Sequence, residues 1–172
     1  MPAFYVRVGQ AADIPAIMSI IDSAKSFLHQ QNIDQWQGTY PDQPAVAQDV
    51  ANGTNRVLVM DGQVVGTGSL IEGPDPFYLP IEGEGWAGEA DYMMIHRFAL
   101  SDQVRGHHLS QLFLSNLLSE AYTRGYRDVR IDTHAENVIM QAAITGNGFT
   151  YRGVVRLDEP VPERNAYQLI MD

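Results

Sequence analysis

The segment Phe98-Ala99-Leu100-Ser101-Asp102-Gln103-Val104-Arg105-Gly106-His107-His108-Leu109-Ser110 reads as a strand that ends, turns through a glycine and opens into a helix. A junction of that kind is suited to binding anions. The first backbone N–H groups of a helix have no partner within it, and the helix dipole places partial positive charge there. A pyrophosphate can therefore be held without many basic side chains. Gly106 lets the backbone approach the phosphates and tolerates positive φ. A single β–turn–α unit with one glycine also has an ordinary structural reading, so the segment gains meaning only from the elements around it.

Those elements can be read from periodicity. Leu109, Leu112, Phe113, Leu117, Leu118 and Ala121 recur at helical spacing and are closed by Gly125, so a helix begins directly after His108. Ahead of the turn, residues 92–100 are β-prone and largely apolar, as befits a central strand. Further upstream, residues 4–8 form a first strand, and Ile14, Ile17, Met18, Ile21, Phe27 and Leu28 mark an amphipathic helix with Asp13 and Pro15 in its first turn. A polar and aromatic loop over residues 32–43, containing Trp36 and Tyr40, leads to a short helix over 44–51. Residues 57–60 and 64–70 flank Asp61-Gly62 and predict a hairpin. A loop over 72–88 precedes the central strand. Beyond Gly125 come a strand over 129–133, a helix over 137–144, the turn Gly146-Asn147-Gly148, and closing strands over 149–157 and 166–171. The order β-α-α-β-β-β-α-β-α-β-β predicts a mixed α/β (α+β) layer fold.

The chain has 172 residues, suited to a single domain over 1–172. Its 45% hydrophobic and 19% charged residues suit a water-soluble globular protein, and no apolar run is long enough to cross a membrane. The first residues lack the pattern of a secretory signal, which makes the cytoplasm the expected location. Zero cysteines exclude disulfides, thiolate nucleophiles and cysteine-ligated metals; no metal is expected. A net charge of −10 argues against nucleic acid as a partner. Glu72, Asp75, Glu82, Glu84 and Glu89 lie in a stretch without Lys or Arg between Arg56 and Arg97. That stretch has two readings: steering of a cationic substrate, or solvated loop charge.

At these positions the sequence resembles the GNAT superfamily of N-acetyltransferases. Gln103-x-x-Gly106 resembles the superfamily's pyrophosphate loop, and the strand ending at Phe98-Ala99-Leu100 resembles the one that pairs with the pantetheine arm. Arg130-Ile131-Asp132-Thr133 followed by Asn137 resembles the next strand and an Asn that touches the cofactor. Asn147-Gly148-Phe149 leading to Gly153 resembles the entry to the last hairpin. The resemblance spans nearly the whole chain and implies a mixed, mostly antiparallel central sheet flanked by helices.

It further implies that acetyl-CoA is bound by Phe98 to Leu100, Gln103, Val104, Arg105, Gly106, His107, His108, Leu109, Ser110 and Asn137. The acetyl group then passes directly to an amine of a small molecule or peptide. His96 and His134 are the first candidates for the base, with Asp132, Glu89 and Asp91 behind them; regular strand alternation places His96 and Phe98 on one face, and a bulge would break that phase. Trp36 and Tyr40 lie where the acceptor pocket is bordered in this superfamily. A homodimer is compatible with this reading. Two positions depart from the pattern: His108 stands where Gly or Ala is usual, and Ile144 stands where many members carry the Tyr that protonates the leaving thiolate, leaving Thr145 as a nearby hydroxyl. A non-catalytic acyl-CoA-binding or sensing module is the alternative that these departures permit.

Overall fold

The Asp61-Gly62 turn adopts φ values of 48° and 80°, the two-residue form whose twist suits a hairpin. It joins β2 (Asn55–Met60) to β3 (Gln63–Glu72), and β1 (Phe4–Val8) pairs with the free edge of β2. The computed structural model describes residues 2–172. Its remaining strands are β4 (Glu82–Gly83), β5 (Tyr92–Leu100), β6 (Asp128–Thr133), β7 (Thr150–Arg156) and β8 (Glu163–Ile170). All eight form one sheet in the order β1-β2-β3-β5-β6-β8-β7-β4. Among the described residues only β5 and β6 run parallel, and the crossover that a parallel pair requires is α3 (Leu109–Thr123). The other helices are α1 (Ile14–Gln30), α2 (Gln43–Ala51) and α4 (Val138–Gly146).

Strand alternation splits the core between two faces. Leu58, Ile95 and Ile131 pack with Phe113 and Leu117 of α3 and with Ile144 of α4. On the other face Val57 and Val59 meet Ile17 and Ile21 of α1. Farther along that face, Tyr92 and Met94 are covered by Tyr78 and Trp86 from the segment between β3 and β5. Each fully buried side chain of this size contributes about 1.5–3 kcal/mol.

Most boundaries fall within one or two residues of the sequence expectation, and the differences that matter are these. A two-residue strand, β4, lies within the loop after β3, and α4 runs on to Gly146. The last strand begins at Glu163 rather than at residue 166, because Arg164 is buried and ion-paired to Glu159; a polar start hid it from hydrophobic patterning.

One irregularity positions the site. The β3–β5 register shifts so that Thr67 faces Ala99 while Ser69 faces His96. Arg97, in the resulting bulge, has φ of 51°. Before the bulge Met93 and Ile95 face the α3 core; after it Phe98 and Leu100 do, with the Phe98 ring 5.1 Å from Phe113. His96 instead lies with Tyr92 and Met94, 5.6 Å from the Tyr78 ring. His96 and Phe98 therefore occupy opposite faces, which corrects the alternation expected from sequence.

Candidate active site

Pairing between β5 and β6 runs from Tyr92–Asp128 to Ile95–Ile131 and stops there. Beyond that point β5 is paired only with β3, and the parting strands open a cleft of about 280 Å³. Phe98, Ala99 and Leu100 line one wall, Ile131 to Thr133 the other, with Met140 and Ala143 of α4 below. From His96 onward the β5 edge facing the cleft is free for another extended chain.

One end of the cleft is the turn into α3. Ser101 Oγ accepts from Gln103 N–H at 3.3 Å at the start of a short 3-10 turn. Gly106 follows with φ of 79°, and no atom lies within 4 Å of the place a Cβ would take. His108 occupies the cap position of α3 with φ of 55°, and its side chain makes no capping bond. The first-turn N–H groups of α3 are thus left unclaimed by a cap, and the left-handed backbone at His108 separately costs about 1–2 kcal/mol. Arg105, Gly106, His108, Leu109 and Ser110 line the cleft. Gln103, Val104 and His107 do not: Val104 is buried in the core, and the other two are exposed. The Arg105 guanidinium lies 4.0 Å from the Phe27 ring, which holds a cation at this end.

At the other end His96, Arg97 and Asp132 converge. Arg97 donates to both carboxylate oxygens of Asp49, from Nε at 2.5 Å and Nη2 at 2.7 Å, and from Nη1 to Tyr40 Oη at 2.6 Å. Ser69 Oγ also donates to Asp49 at 2.5 Å. The Tyr40 O–H finds no acceptor among the described residues, and burial raises its pKa against the opposing charge of Arg97. Tyr40 therefore stays protonated, with a donor available to the cleft. Glu159, ion-paired to Arg164, is pushed up by burial as well.

His96 sits between two carboxylates, with Nδ1 3.7 Å from Asp132 Oδ1 and Nε2 3.8 Å from Asp75 Oδ2. Burial lowers its pKa, and Asp132 opposes that shift. Tyr78, fully buried, donates to Asp132 Oδ1 at 2.5 Å. Burial and then the Asp132 charge hold the Tyr78 pKa well above its ordinary value, so it remains a donor. The arrangement supplies a neutral imidazole base with an oriented carboxylate beside it.

Trp36 and Tyr40 both line the cleft, as does Gln35, which composition did not single out. Gln35 Oε1 accepts from Asn137 Nδ2 at 3.0 Å, tying the loop after α1 to the start of α4. Asn137 caps α4 by accepting from Met140 N–H at 3.2 Å, so it lines the cleft as an anchored residue. His134 stands outside the cleft, its Nδ1 accepting from Glu136 N–H at 3.3 Å. Glu89 and Asp91 are exposed and away from it. Glu72, Glu82 and Glu84 are ion-paired to Arg124, Arg156 and Arg152, so much of the acidic stretch is neutralised locally. Ile144 has 0% exposure in the core and does not line the cleft, and Thr145 donates to Gln141 O at 2.9 Å on the surface. A Tyr at 144 would have to displace core side chains. Among the described residues no group of three or more His, Asp or Glu could hold a metal ion.

No protein-family model matches the chain, and no curated protein matches it. Solved structures do. The chain is similar to a GNAT-family acetyltransferase from Streptococcus agalactiae 2603 at 32% identity, covering 98% of this chain and 96% of that one, with a TM-score of 0.91. A GNAT-family acetyltransferase from Listeria monocytogenes 4b F2365 shares the fold at 16% identity, with coverages of 98% and 95% and a TM-score of 0.74. So does a ribosomal L7/L12 alpha-N-protein acetyltransferase in complex with coenzyme A, at 18% identity, coverages of 98% and 94% and a TM-score of 0.69.

Proposed function

Since the chain belongs to the GNAT family of acetyltransferases, we propose that it transfers the acetyl group of acetyl-CoA directly to a primary amine held at the His96 end of the cleft. The observation that carries this reading is the parting of β5 from β6 after Ile95, which joins the α3 turn and His96 through one groove. The residues fit an acyl-CoA. The open space around Gly106 and the uncapped start of α3 suit a pyrophosphate, and the free β5 edge suits the extended pantetheine arm. When bound, acetyl-CoA supplies an activated acyl carbon and a thiolate leaving group.

The protein's own residues do the rest. An N–H of β5 near Phe98 or Ala99 polarises the thioester carbonyl. Neutral His96 removes a proton from the acceptor ammonium, and Asp132 stabilises the imidazolium that forms. Tyr40 and Trp36 border the acceptor, and the Arg97–Asp49 pair fixes Tyr40 in place. With Ile144 buried, no tyrosine protonates the leaving thiolate from that position. Its reference pKa of about 8.5 makes the deficit at pH 7 about 2 kcal/mol.

A base weakened by burial favours acceptors that deprotonate readily. Neutralising a lysine-like amine at pH 7 costs about 4.6 kcal/mol, and an α-amine near pKa 8 costs about 1.4 kcal/mol, so α-amines are the preferred acceptors. The test is mass-spectrometric detection of acetylated product from a panel of α-amines and ε-amines. Faster acetylation of α-amines at pH 7 is expected. No acetylated product from any amine would overturn the proposal.

A further inference from the structure

Buried polar atoms are nearly always satisfied, so exceptions call for an explanation. Among the described residues three buried side-chain atoms have no hydrogen-bond partner, and one is His96 Nε2. It points away from the cleft toward Asp75 Oδ2, 3.8 Å off, while Nδ1 faces Asp132 Oδ1 at 3.7 Å. Both nitrogens thus face acceptors. A neutral imidazole can donate to only one of them, whereas an imidazolium donates to both. The surroundings of the ring are complementary to its protonated form, although burial keeps the resting ring neutral.

Asp75 is held where it stands. Its N–H donates to Tyr92 Oη at 3.0 Å, and its Oδ1 accepts from Phe77 N–H at 2.8 Å, which leaves Oδ2 for the ring. Its side chain is 21% exposed, against 7% for Asp132. Asp132 lines the cleft and Asp75 does not. Carboxylate, imidazole and carboxylate therefore form a row from the cleft toward solvent. The other groups facing the ring are Tyr78, Asp49 of α2, and Arg97 next along β5.

We propose that His96 is a two-sided proton relay, taking the acceptor's proton at Nδ1 and passing a different one from Nε2 to Asp75, which hands it to water. Resting on the acetyl-transfer reading, this makes Asp75 a positioning residue of the reaction. The Nδ1 lone pair forms a new N–H bond with the ammonium proton, and the amine keeps the bonding pair. The Nε2–H bond breaks with its electrons left on the ring, and Asp75 Oδ2 gains the proton before losing it to solvent. One proton leaves for each ammonium consumed. The ring, left with hydrogen on Nδ1, resets by exchange with water once product has left. Both gaps are about 1 Å longer than a hydrogen bond, and both close when the imidazolium forms, as catalytic contacts do in the working complex.

The experiment uses the full chain and Asp75→Asn, whose Oδ1 can still accept from Phe77 N–H, with Asp75→Glu as the conservative variant. At low buffer concentration Asp75→Asn should lower kcat at least tenfold with KM for acetyl-CoA unchanged. Rising imidazole buffer should restore it, wild type should not respond to buffer, and Asp75→Glu should recover much of the rate. A loss that buffer does not restore indicates a merely structural role and overturns the relay. Independently of turnover, nitrogen NMR of His96 in the free protein should show the titration midpoint falling by about one pH unit in Asp75→Asn and again in Asp132→Asn. If wild type acetylates nothing but both shifts appear, the acetyl-transfer reading fails and the two-sided geometry stands. An unmoved midpoint in Asp75→Asn overturns the relay whatever the activity.

Discussion

Replacing Asp49 with Ala removes the carboxylate that accepts from Arg97 Nε at 2.5 Å and Nη2 at 2.7 Å, and from Ser69 Oγ at 2.5 Å. Arg97 then keeps Tyr40 Oη as its side-chain partner. Breaking a buried pair from one side costs about 3–5 kcal/mol. Since Arg97 and Asp49 retain 15% and 9% side-chain exposure, the lower figure of about 3 kcal/mol applies. A chain of 172 residues unfolds with an entropy of about 0.36 kcal/mol/K, so Tm should fall by about 8 °C. The same change releases the bulge, because a left-handed arginine without its tether gains about 1–2 kcal/mol by leaving that conformation. The β5 edge beyond it then shifts, and KM for acetyl-CoA rises. Scanning calorimetry and steady-state kinetics of Asp49→Ala, Arg97→Met and the double variant test both effects. The double variant carries no orphaned charge and should recover at least half of the lost Tm while staying kinetically impaired. A Tm for Asp49→Ala within about 2 °C of wild type, or a double variant as unstable as the two singles added together, would refute the reasoning.

Ile144→Tyr should overpack the core, lowering stability by about 1–3 kcal/mol in denaturant titrations without raising kcat; a stable, faster variant would return position 144 to the chemistry. His108→Gly should relieve the left-handed cap, raising stability by about 1 kcal/mol and Tm by about 2–4 °C. Calorimetric affinity for acetyl-CoA should stay within about threefold of wild type, because main-chain donors dominate there. For His96 burial lowers the pKa, so the neutral ring proposed as the base is lost only as pH falls through a midpoint below the ordinary value of about 6.5. A pH series of kcat/KM should rise to a plateau with that midpoint and lose the acidic limb in His96→Ala; a midpoint above 6.5 contradicts it.

Much of this fold is local and therefore readable in sequence. The Asp61-Gly62 hairpin, the start of α3 at Leu109 and the Gly106 turn depend on neighbours in the chain, and each stands where patterning places it, although on α3 it is Leu114 that is buried while Leu112, expected on the apolar face, is exposed. The site depends on partners distant in sequence. The bulge at Arg97 is held by Asp49, 48 residues earlier, and its positive-φ residue is an arginine rather than a glycine. Regular alternation therefore fails at His96 and Phe98, which the bulge sets on opposite faces. Asp75 and Tyr78 reach His96 from a loop with no periodic signal, and Gln35 enters the cleft from another. Resemblance sets position 144 beside the leaving thiolate, but the rotation of α4 against the sheet decides whether a side chain faces cleft or core, and Ile144 faces the core.

The most direct measurement is thiol release from acetyl-CoA in the presence of α-amines, run side by side for wild type and Gly106→Asp. The substitution enters open space, with no atom within 4 Å of the added Cβ, and it replaces a glycine with φ of 79°. The variant should therefore fold, with a modest loss of stability, while setting a carboxylate in the space proposed for the phosphates. The expected result is amine-dependent release by wild type and none above background by a folded Gly106→Asp. Equal release by the two proteins, or wild-type release that does not depend on the amine, would contradict acetyl transfer in the β5–β6 cleft.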